Sequence, residues 1–239
     1  MRLRWTVGLL LTACGLCAQS LDQSTLLLLN HAKADKDLFG AGRPGGFSIE
    51  GQVRMNNSDL RLSAIEEEWV PPEVADRDLI GTTKGADLFI GRMLRENDIV
   101  VTGGISKQIS IFNSNKSTIV TDSLLRVEDV LYARRGAAVQ SGDLVVVTRR
   151  GGRMHIDNHE VRIDVNGFPA FVTGQEYLLF LSLNPSTGSY KVRADGAFLI
   201  EGSDMKPLST IRKHPATPYL QDEQTFLEMI RSRSGEVTQ

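Results

Sequence analysis

Asp98-Ile-Val-Val-Thr102 opens the stretch of sequence that decides the fold, a succession of short β-branched and apolar runs reaching to about residue 201. Turn-forming residues separate these runs, and short strands with turns at such spacing are typical of a β-sandwich or a closed β-barrel. Further strands are predicted at residues 109–112, 117–131, 143–149, 176–183, 190–192 and 197–200. The predicted turns include Gly103-Gly104, Gly151-Gly152 and Asn184-Pro-Ser-Thr-Gly188, because these residue types tolerate positive φ or favour turns. We therefore predict a mainly β domain.

A break in the alternation predicts a β-bulge within the long strand candidate at 117–131. Leu125 and Val127 share one face, but the next residue on that face is the charged Asp129. Because the buried face sets the register of an amphipathic strand, an extra residue before Val130 returns the apolar side chains to the core.

The residues ahead of this stretch are assigned to the same β-rich domain, residues 47–201. Residues 47–55 and 60–62 alternate apolar and polar side chains around Asn56-Asn57-Ser58, which predicts a hairpin. The segment from Ala86 to Arg95 places its apolar side chains along one side at helical spacing, which predicts a short amphipathic helix leading into the sheet.

Residues 19–46 form an N-terminal segment that ends in a glycine-rich linker. Ser24 is predicted to cap a helix running to about Asp37, since its hydroxyl satisfies free amides of the first turn. The run Leu26 to Leu29 needs burial, so it either docks on the main domain or binds a partner. Gly40 to Gly46 contains four glycines and a proline, which indicates a loop or linker.

Residues 202–239 are predicted to form a C-terminal tail with a helix. Pro207, Pro215 and Pro218 keep the first half of the tail extended. The segment from Asp222 to Arg233 predicts a helix, with acidic residues early and arginines late, as the helix dipole favours.

Residues 1–18 have the layout of a secretory signal peptide. Arg2 and Arg4 form a basic n-region, and the apolar run after them is too short for a bilayer span of about 20 residues. Two main processing routes are open, cleavage near Ala18 or lipidation of the cysteine in the lipobox-like Leu11-Thr-Ala-Cys14, with an uncleaved anchor as the third. The predicted location is therefore secreted or periplasmic, with an outer-membrane lipoprotein as the alternative.

The composition narrows the chemistry that the folded body can perform. Both cysteines, Cys14 and Cys17, lie in the signal segment, so the body has no disulfide, no cysteine nucleophile and no cysteine metal site. Without Arg2 and Arg4, 25 basic residues (27 − 2) stand against 29 acidic ones, a net charge of −4. No basic face for nucleic acid is indicated, and no apolar run after Leu29 approaches the length of a membrane span.

Three segments occur in an order that resembles the netrin-like module, the OB-type barrel also found in tissue inhibitors of metalloproteinases: residues 98–106, 124–131 and 172–181. The last segment carries residues similar to that family's G-x-x-Y-L strand: Gly174, Tyr177 and Leu178. The resemblance covers residues 97–201 and implies an OB-like barrel, here flanked by short α-helices. The family's cysteines are absent, including the N-terminal one whose amine and carbonyl would chelate a protease's zinc. An inhibitory mechanism therefore does not carry over, and only the barrel architecture is implied.

One group of residues approaches a metal site. His155 and His159 lie near Asp157 and Glu160, and imidazoles with a carboxylate are suitable ligands for zinc. The competing interpretation is that residues 153–162 form a hairpin whose turn is flanked by solvated histidines. We assign no metal ligand, no cofactor-binding residue and no catalytic residue.

Two charged groups have alternative interpretations. Arg134-Arg135, Arg149-Arg150 and Arg153 either cluster at one end of the barrel and bind an anion or polysaccharide, or they serve solubility. Glu66-Glu67-Glu68 either binds a cation or forms a solvated face.

The motifs of common enzymes are missing from the sequence, which contains no serine nucleophile elbow, no His-Glu-x-x-His and no phosphate-binding loop. We expect an exported, non-enzymatic binding module, without a cofactor, whose partner is a protein or an envelope polymer. The loops Asn113–Lys116 and Asp164–Phe171 are the predicted contact positions. The alternative is a cell-envelope polymer hydrolase whose two carboxylates converge in a cleft at a separation of about 5 to 9 Å.

Overall fold

A computed structural model of the protein describes residues 22–35, 58–65, 80–209 and 214–237. Nine strands and three α-helices lie in this part of the chain, with a short 3₁₀ helix at Thr217–Tyr219. In chain order they are α1 (Gln23–Asp35), β1 (Leu60–Ile65), α2 (Thr83–Glu96), β2 (Ile99–Phe112), β3 (Ile119–Ala133), β4 (Leu144–Arg150), β5 (Gly152–Ile156), β6 (His159–Asn166), β7 (Glu176–Leu183), β8 (Tyr190–Glu201), β9 (Asp204–Pro207) and α3 (Glu223–Val237).

Five strands close into a barrel. The larger sheet has the order β4-β3-β2-β7-β8-β9, and each neighbouring pair is antiparallel. The ring closes because β4 also pairs in parallel with β8, through Val147 opposite Tyr190 and Thr148 opposite Lys191. β9 pairs with residues 198–201 of β8, on the edge of β8 whose first residues pair with β4. The predicted mainly β, OB-like barrel with short flanking helices is confirmed.

Two predicted strand breaks are wrong. β2 runs without interruption through Gly103-Gly104, where the sequence predicted a turn. A Cβ atom on Gly103 would lie 2.2 Å from the carbonyl oxygen of Arg126, so glycine here permits a close approach of β2 to β3. Likewise, the strands predicted at 190–192 and 197–200 form the single strand β8.

The predicted bulge in β3 is confirmed. Thr102 lies opposite Asp129, but the next residue of β2, Gly103, lies opposite Val127, which makes Glu128 the extra residue. A second register shift follows at Leu131. These bulges let the long β2–β3 ribbon bend around the barrel.

A second sheet of order β1-β6-β5 covers one end of the barrel. The hairpin predicted at 153–162 is confirmed, and Asp157 occupies its turn with a φ of 53°. β1 lies parallel to β6, with Leu60 opposite Val161. Residues 60–62 of the other predicted hairpin are thus paired with β6, while residues 47–57 lie outside the described part of the chain.

The helices α2 and α3 bury a second core on the outer face of the barrel. The predicted amphipathic helix is confirmed as α2, and the hydroxyl of Thr82 accepts a hydrogen bond from the amide of Gly85 at its start. α3 confirms the helix predicted in the C-terminal segment. That segment also contributes the strand β9 and core side chains, so it packs against the barrel. The residues that α2 and α3 contribute to this core are Phe89, Ile90, Met93, Leu94, Phe226, Leu227 and Ile230.

The leucine run docks on the barrel, as one of the two alternatives predicted. Leu28 of α1 is 2% exposed and packs against Leu124 of β3 and Val146 of β4. The predicted cap is wrong by two residues, because Asp22 rather than Ser24 accepts the hydrogen bond from the amide of Thr25, at 2.9 Å. The signal segment and the glycine-rich linker lie outside the described residues.

Candidate functional site

A groove of about 840 Å³ lies between the β5–β6 hairpin and the far ends of β2, β3 and β4. Its other wall is the loop that joins β6 to β7. The groove therefore brings together residues from five successive strands, β2 to β6. Its polar and charged lining residues are Gln108, Ser110, Thr121, Arg149, Arg153, Arg162, Asp164, Asn166 and Thr173.

Hydroxyl groups on paired strands form the floor of the groove. Ser110 of β2 lies opposite Thr121 of β3, and their hydroxyl oxygens are 2.8 Å apart. Thr121 donates its hydrogen to the carbonyl of Gly151 at 2.6 Å, so Ser110 is the donor to Thr121. A Cβ atom on Gly152 would lie 2.1 Å from the Thr121 oxygen. Only glycine therefore allows β5 to cross this close to the floor.

Arg149 holds the loop wall in place. Its side chain is buried, with the residue only 4% exposed, and its guanidinium donates to the carbonyl oxygens of Phe168 and Pro169. The guanidinium carbon also lies 4.2 Å from the centre of the Phe168 ring. A planar cation with several donors can stack on a ring and bind backbone carbonyls at once. Arg149 thus fixes the loop conformation and places positive charge beneath the groove.

Aromatic packing supports the same loop from behind. Phe171 contacts Phe168 and Tyr177 edge to face, with ring centres 5.9 and 4.9 Å away. The Tyr177 hydroxyl accepts a hydrogen bond from the amide of Val172 at 2.7 Å and donates one to Gln175 at 3.1 Å. Burial raises the pKa of Tyr177, so its hydroxyl keeps the proton that it donates. The loop wall is therefore preorganised.

The rim of the groove carries accessible positive charge. The side chain of Arg153 is 57% exposed and lies 3.5 Å from Glu160, and that of Arg162 is 39% exposed. Asp164 accepts hydrogen bonds from Arg162 at 2.6 Å and from Arg61 at 2.9 Å. Burial alone would raise the pKa of Asp164, but the two arginines outweigh it and lower the pKa. Asp164 is thus an ionised carboxylate that is paired with Arg162 and Arg61.

One of the two predicted contact loops lines the groove. Residues 164–171 supply much of its wall. The loop Asn113–Lys116 does not line it. The side-chain oxygen of Asn113 accepts hydrogen bonds from the amides of Ser117 and Thr118, so this residue stabilises its own turn. Sequence reasoning did not single out Arg162 or the hydroxyl floor, because nothing local marks them.

The predicted arginine cluster is only partly correct. Arg149 and Arg153 meet at the groove, which lies at the start of β3. Arg134 follows the other end of β3, where its guanidinium donates to Asp98 at 2.9 Å. The strand separates the two groups because it spans the barrel from end to end. The Glu66–Glu68 run lies outside the described residues.

The two histidines do not converge. His155 lies opposite Glu160 and His159 opposite Ile156, so the histidines project from opposite faces of the hairpin. His159 lies 3.7 Å from a carboxylate oxygen of Asp59. Within the described ranges, no three histidine, cysteine or acidic residues are grouped so as to hold a metal ion.

Two carboxylates that do converge lie in the interior rather than in the groove. Asp35 and Asp122 are 0% and 1% exposed and share the hydroxyl of Thr148 between them. Among the described lining residues of the groove, Asp164 is the single carboxylate. The acidic pair is therefore shielded from a polymer bound at the groove.

No family model and no curated protein sequence matches the chain. The described part of the chain contains no helix of the length and hydrophobicity that a membrane crossing requires.

Proposed function

We propose that the protein is an exported, non-enzymatic binding module that holds an acidic segment of another protein in the groove beside the β5–β6 hairpin. Export is inferred from the signal segment at residues 1–18, by either of its main processing routes. The same proposal includes a relationship to the netrin-like module, limited to the barrel.

The charge of the groove is the observation that carries the proposal. Three arginines and one carboxylate line its described part, and that carboxylate is already engaged by Arg162 and Arg61. Arginine presents several donors in one plane and binds carboxylates through two hydrogen bonds at once. The guanidinium of Arg153, 3.5 Å from Glu160, is exposed, and that of Arg162, which is bonded to Asp164, is half-exposed, so both can reach carboxylates of a ligand lying along the groove.

The apolar lining favours a polypeptide over a polysaccharide or nucleic acid. Phe168 and Phe171 are 2% and 3% exposed, so their ring faces are covered and do not offer a platform for sugars or bases. Val172, by contrast, lines the groove and is 52% exposed. Isolated aliphatic contacts beside arginines suit an extended acidic peptide with apolar side chains.

The hydrolase alternative has less support. Glycoside hydrolysis requires two carboxyl groups facing the same bond from opposite sides. The described groove lining provides Asp164 alone, and its lowered pKa makes it a poor proton donor at neutral pH. The buried pair Asp35 and Asp122 has no access to a polymer chain in this structure.

Binding of a fluorescent glutamate oligopeptide, followed by anisotropy, tests the proposal. We expect binding that weakens with salt and falls about fivefold to tenfold in Arg153→Ala and in Arg162→Ala, the range for removing an interface arginine. Arg134→Ala is the matched control, because it removes one arginine at the opposite end of β3. Equal loss in all three variants, no binding at all, or tighter binding of an anionic polysaccharide such as polygalacturonate would refute the proposal.

A further inference from the structure

The carboxyl end of α1 is attached to the barrel through a buried polar cluster. Asp35, the last residue of α1, accepts a hydrogen bond from Ser189 at 2.8 Å and contacts the Thr148 hydroxyl of β4 at 3.0 Å. The same hydroxyl lies 2.7 Å from a carboxylate oxygen of Asp122 on β3. Each of the four residues is at most 1% exposed. The cluster thus joins α1, two barrel strands and the β7–β8 loop.

Counting hydrogen atoms shows that this arrangement requires an extra proton. A threonine hydroxyl has one hydrogen to donate, and both of its neighbours here are carboxyl groups. If Thr148 donates to Asp35, its oxygen accepts a hydrogen from Asp122, which is then a neutral carboxylic acid; if Thr148 donates to Asp122, Asp35 holds the extra hydrogen instead. Two carboxylates would instead compete for a single hydrogen in a site without water access.

The environment of Asp122 agrees with the neutral form. Its second carboxyl oxygen is buried and has no hydrogen-bond partner among the described residues. Burial raises the pKa of Asp122 to about 7 and the charge of Asp35 adds to that rise, while a hydrogen bond that Thr148 donates to the ionised carboxylate opposes it. Asp35 accepts hydrogen bonds from two hydroxyl groups, those of Thr148 and Ser189, whereas Asp122 contacts the Thr148 hydroxyl alone.

Few other charged groups among the described residues face the pair. On α1, His31 lies one turn before Asp35, and its buried Nδ1 atom has no hydrogen-bond partner in the described part of the chain. β2 places the apolar Ile109 opposite Asp122. β8 places Lys191 opposite Thr148 in the parallel pair that closes the barrel.

The opposite end of α1 is held by a different contact. The ammonium group of Lys107 on β2 binds the carboxylate of Asp22. The hydrogen bond from Lys107 is the largest cause that lowers the pKa of Asp22 to about 2, so this contact persists at neutral and mildly acidic pH. Between the two ends, α1 covers an apolar patch of the barrel formed by Ile109, Leu124, Leu144 and Val146.

We propose that α1 is a pH-dependent latch, whose carboxyl end is held on the barrel by one proton shared between Asp35 and Asp122 through Thr148. When that proton passes to solvent water, two buried carboxylates face one hydroxyl hydrogen, and their repulsion is strong in a medium of low dielectric constant. Moving the end of α1 away from β4 hydrates Asp35 and relieves the repulsion. The apolar patch beneath α1 then becomes accessible while Lys107 still holds the start of the helix.

A carboxyl ¹³C NMR titration of the full, unsubstituted chain tests the shared proton directly. We expect the pair to release one proton near neutral pH, as a coupled titration that both carboxyl signals report. If both groups release their protons below a pH of about 5, as ordinary carboxylic acids do, the proposal is refuted. This measurement does not depend on any variant folding.

Hydrogen exchange of the α1 amides tests the latch. Asp122→Asn replaces the neutral acid by an amide that can donate to Thr148, so α1 should stay docked at every pH. Between a pH of about 5 and about 8, the protection factor of α1 should fall roughly a hundredfold in the parent chain and stay constant in Asp122→Asn. The control Asp129→Asn lies on the same strand and contacts Arg231 of α3 instead, so it should behave like the parent. An equal fall in the parent and in Asp122→Asn, or constant protection in the parent, would overturn the latch.

Discussion

The guanidinium of Arg149 binds the backbone carbonyl of Phe168 and stacks on the ring of the same residue, 4.2 Å from its centre. One side chain therefore fixes both the backbone and the side chain of the loop that walls the groove. Arg149 comes from the end of β4, a strand of the barrel proper. The shape of the groove is in this way tied to the core and does not depend on the loop alone.

Replacing Arg149 should destabilise the whole domain. Arg149→Met keeps much of the side-chain volume but leaves two carbonyl groups without their donors, at a cost of about 1–3 kcal/mol each when such groups stay buried. We expect the free energy of unfolding in urea to fall by about 3 kcal/mol. Arg150→Met changes the neighbouring exposed arginine and should alter stability by no more than about 0.5 kcal/mol. Similar losses in both variants would contradict the clamp.

The two glycine positions Gly103 and Gly235 should respond to alanine with opposite signs. At Gly103 the added Cβ atom meets the carbonyl oxygen of Arg126 at 2.2 Å, so β2 and β3 must separate. We expect a loss of at least about 2 kcal/mol, a typical cost of forced overpacking. At Gly235, within α3, nothing lies within 4 Å of the added atom, and Gly235→Ala should stabilise by about 0.5–1 kcal/mol. Thermal unfolding of both variants measures the difference.

The proton on Asp122 predicts an unusual dependence of stability on pH. The folded-state pKa is about 7 and the ordinary value is 3.8, so the folded chain retains a proton that the unfolded chain has lost. The retained proton stabilises the folded chain fully below a pH of about 4. This stabilisation, up to about 4 kcal/mol, is lost as the pH rises to about 7. The difference in unfolding free energy between the parent chain and Asp122→Asn should therefore change across this range. A constant difference would show that Asp122 is charged in the folded state.

His214 should produce the opposite dependence of stability on pH. Its ring lies edge to face with Phe89 and Phe198, its Nε2 atom donates to the carbonyl of Asp195, and its Nδ1 atom accepts from the amide of Ala216. Burial lowers the pKa of His214 to about 4 from its ordinary 6.5. Here the unfolded chain binds the extra proton, so this contribution is complete above a pH of about 6.5 and is lost as the pH falls to about 4.

The ring nitrogens report on His214 directly. A ¹⁵N NMR titration should show a neutral ring with its hydrogen on Nε2 from neutral pH down to a pH of about 5. The exposed His155 makes none of these contacts and is the internal reference. If the His214 ring charges at the same pH as His155, its burial does not control its protonation. With rising pH, His214 increases the free energy of unfolding and Asp122 decreases it. The free energy of unfolding should therefore vary less with pH in the parent chain than in Asp122→Asn.

The local sequence pattern was sufficient to predict a strand or a helix wherever its buried side chains recur at the period of that element. The alternation in β3 predicted the strand and a bulge before Val130, which the structure has at Glu128, and the apolar side of α2 predicted that helix. The Gly103-Gly104 pair shows the limit of such reasoning. A glycine that permits two strands to approach has the same local signature as a glycine that forms a turn, and only the partner strand distinguishes them.

The candidate site was accessible to sequence reasoning only in part. The loop 164–171 was predicted because connecting segments of barrels carry binding positions, and it does line the groove. The arginines were expected to form one cluster, but the length of β3 places Arg134 and Arg149 at opposite ends of the barrel. Asp122 could have been noticed from the sequence, because it is a charged residue within the strand-like run Ile119-Val-Thr-Asp-Ser-Leu-Leu125. Nothing in the sequence around its partner Asp35 marks that residue.

The sequence by itself determined the class of the fold, the positions of most strands, the absence of cysteine chemistry in the body and the expectation of export. Those properties depend on residue types and short-range periodicity. The tertiary structure alone decided that β4 closes on β8, that Arg149 supports the loop from the barrel core, and that Asp35 meets Asp122 across 87 positions of chain. These are contacts between distant residues, and their free energies depend on burial and hydrogen-bond geometry that exist only once the barrel has closed.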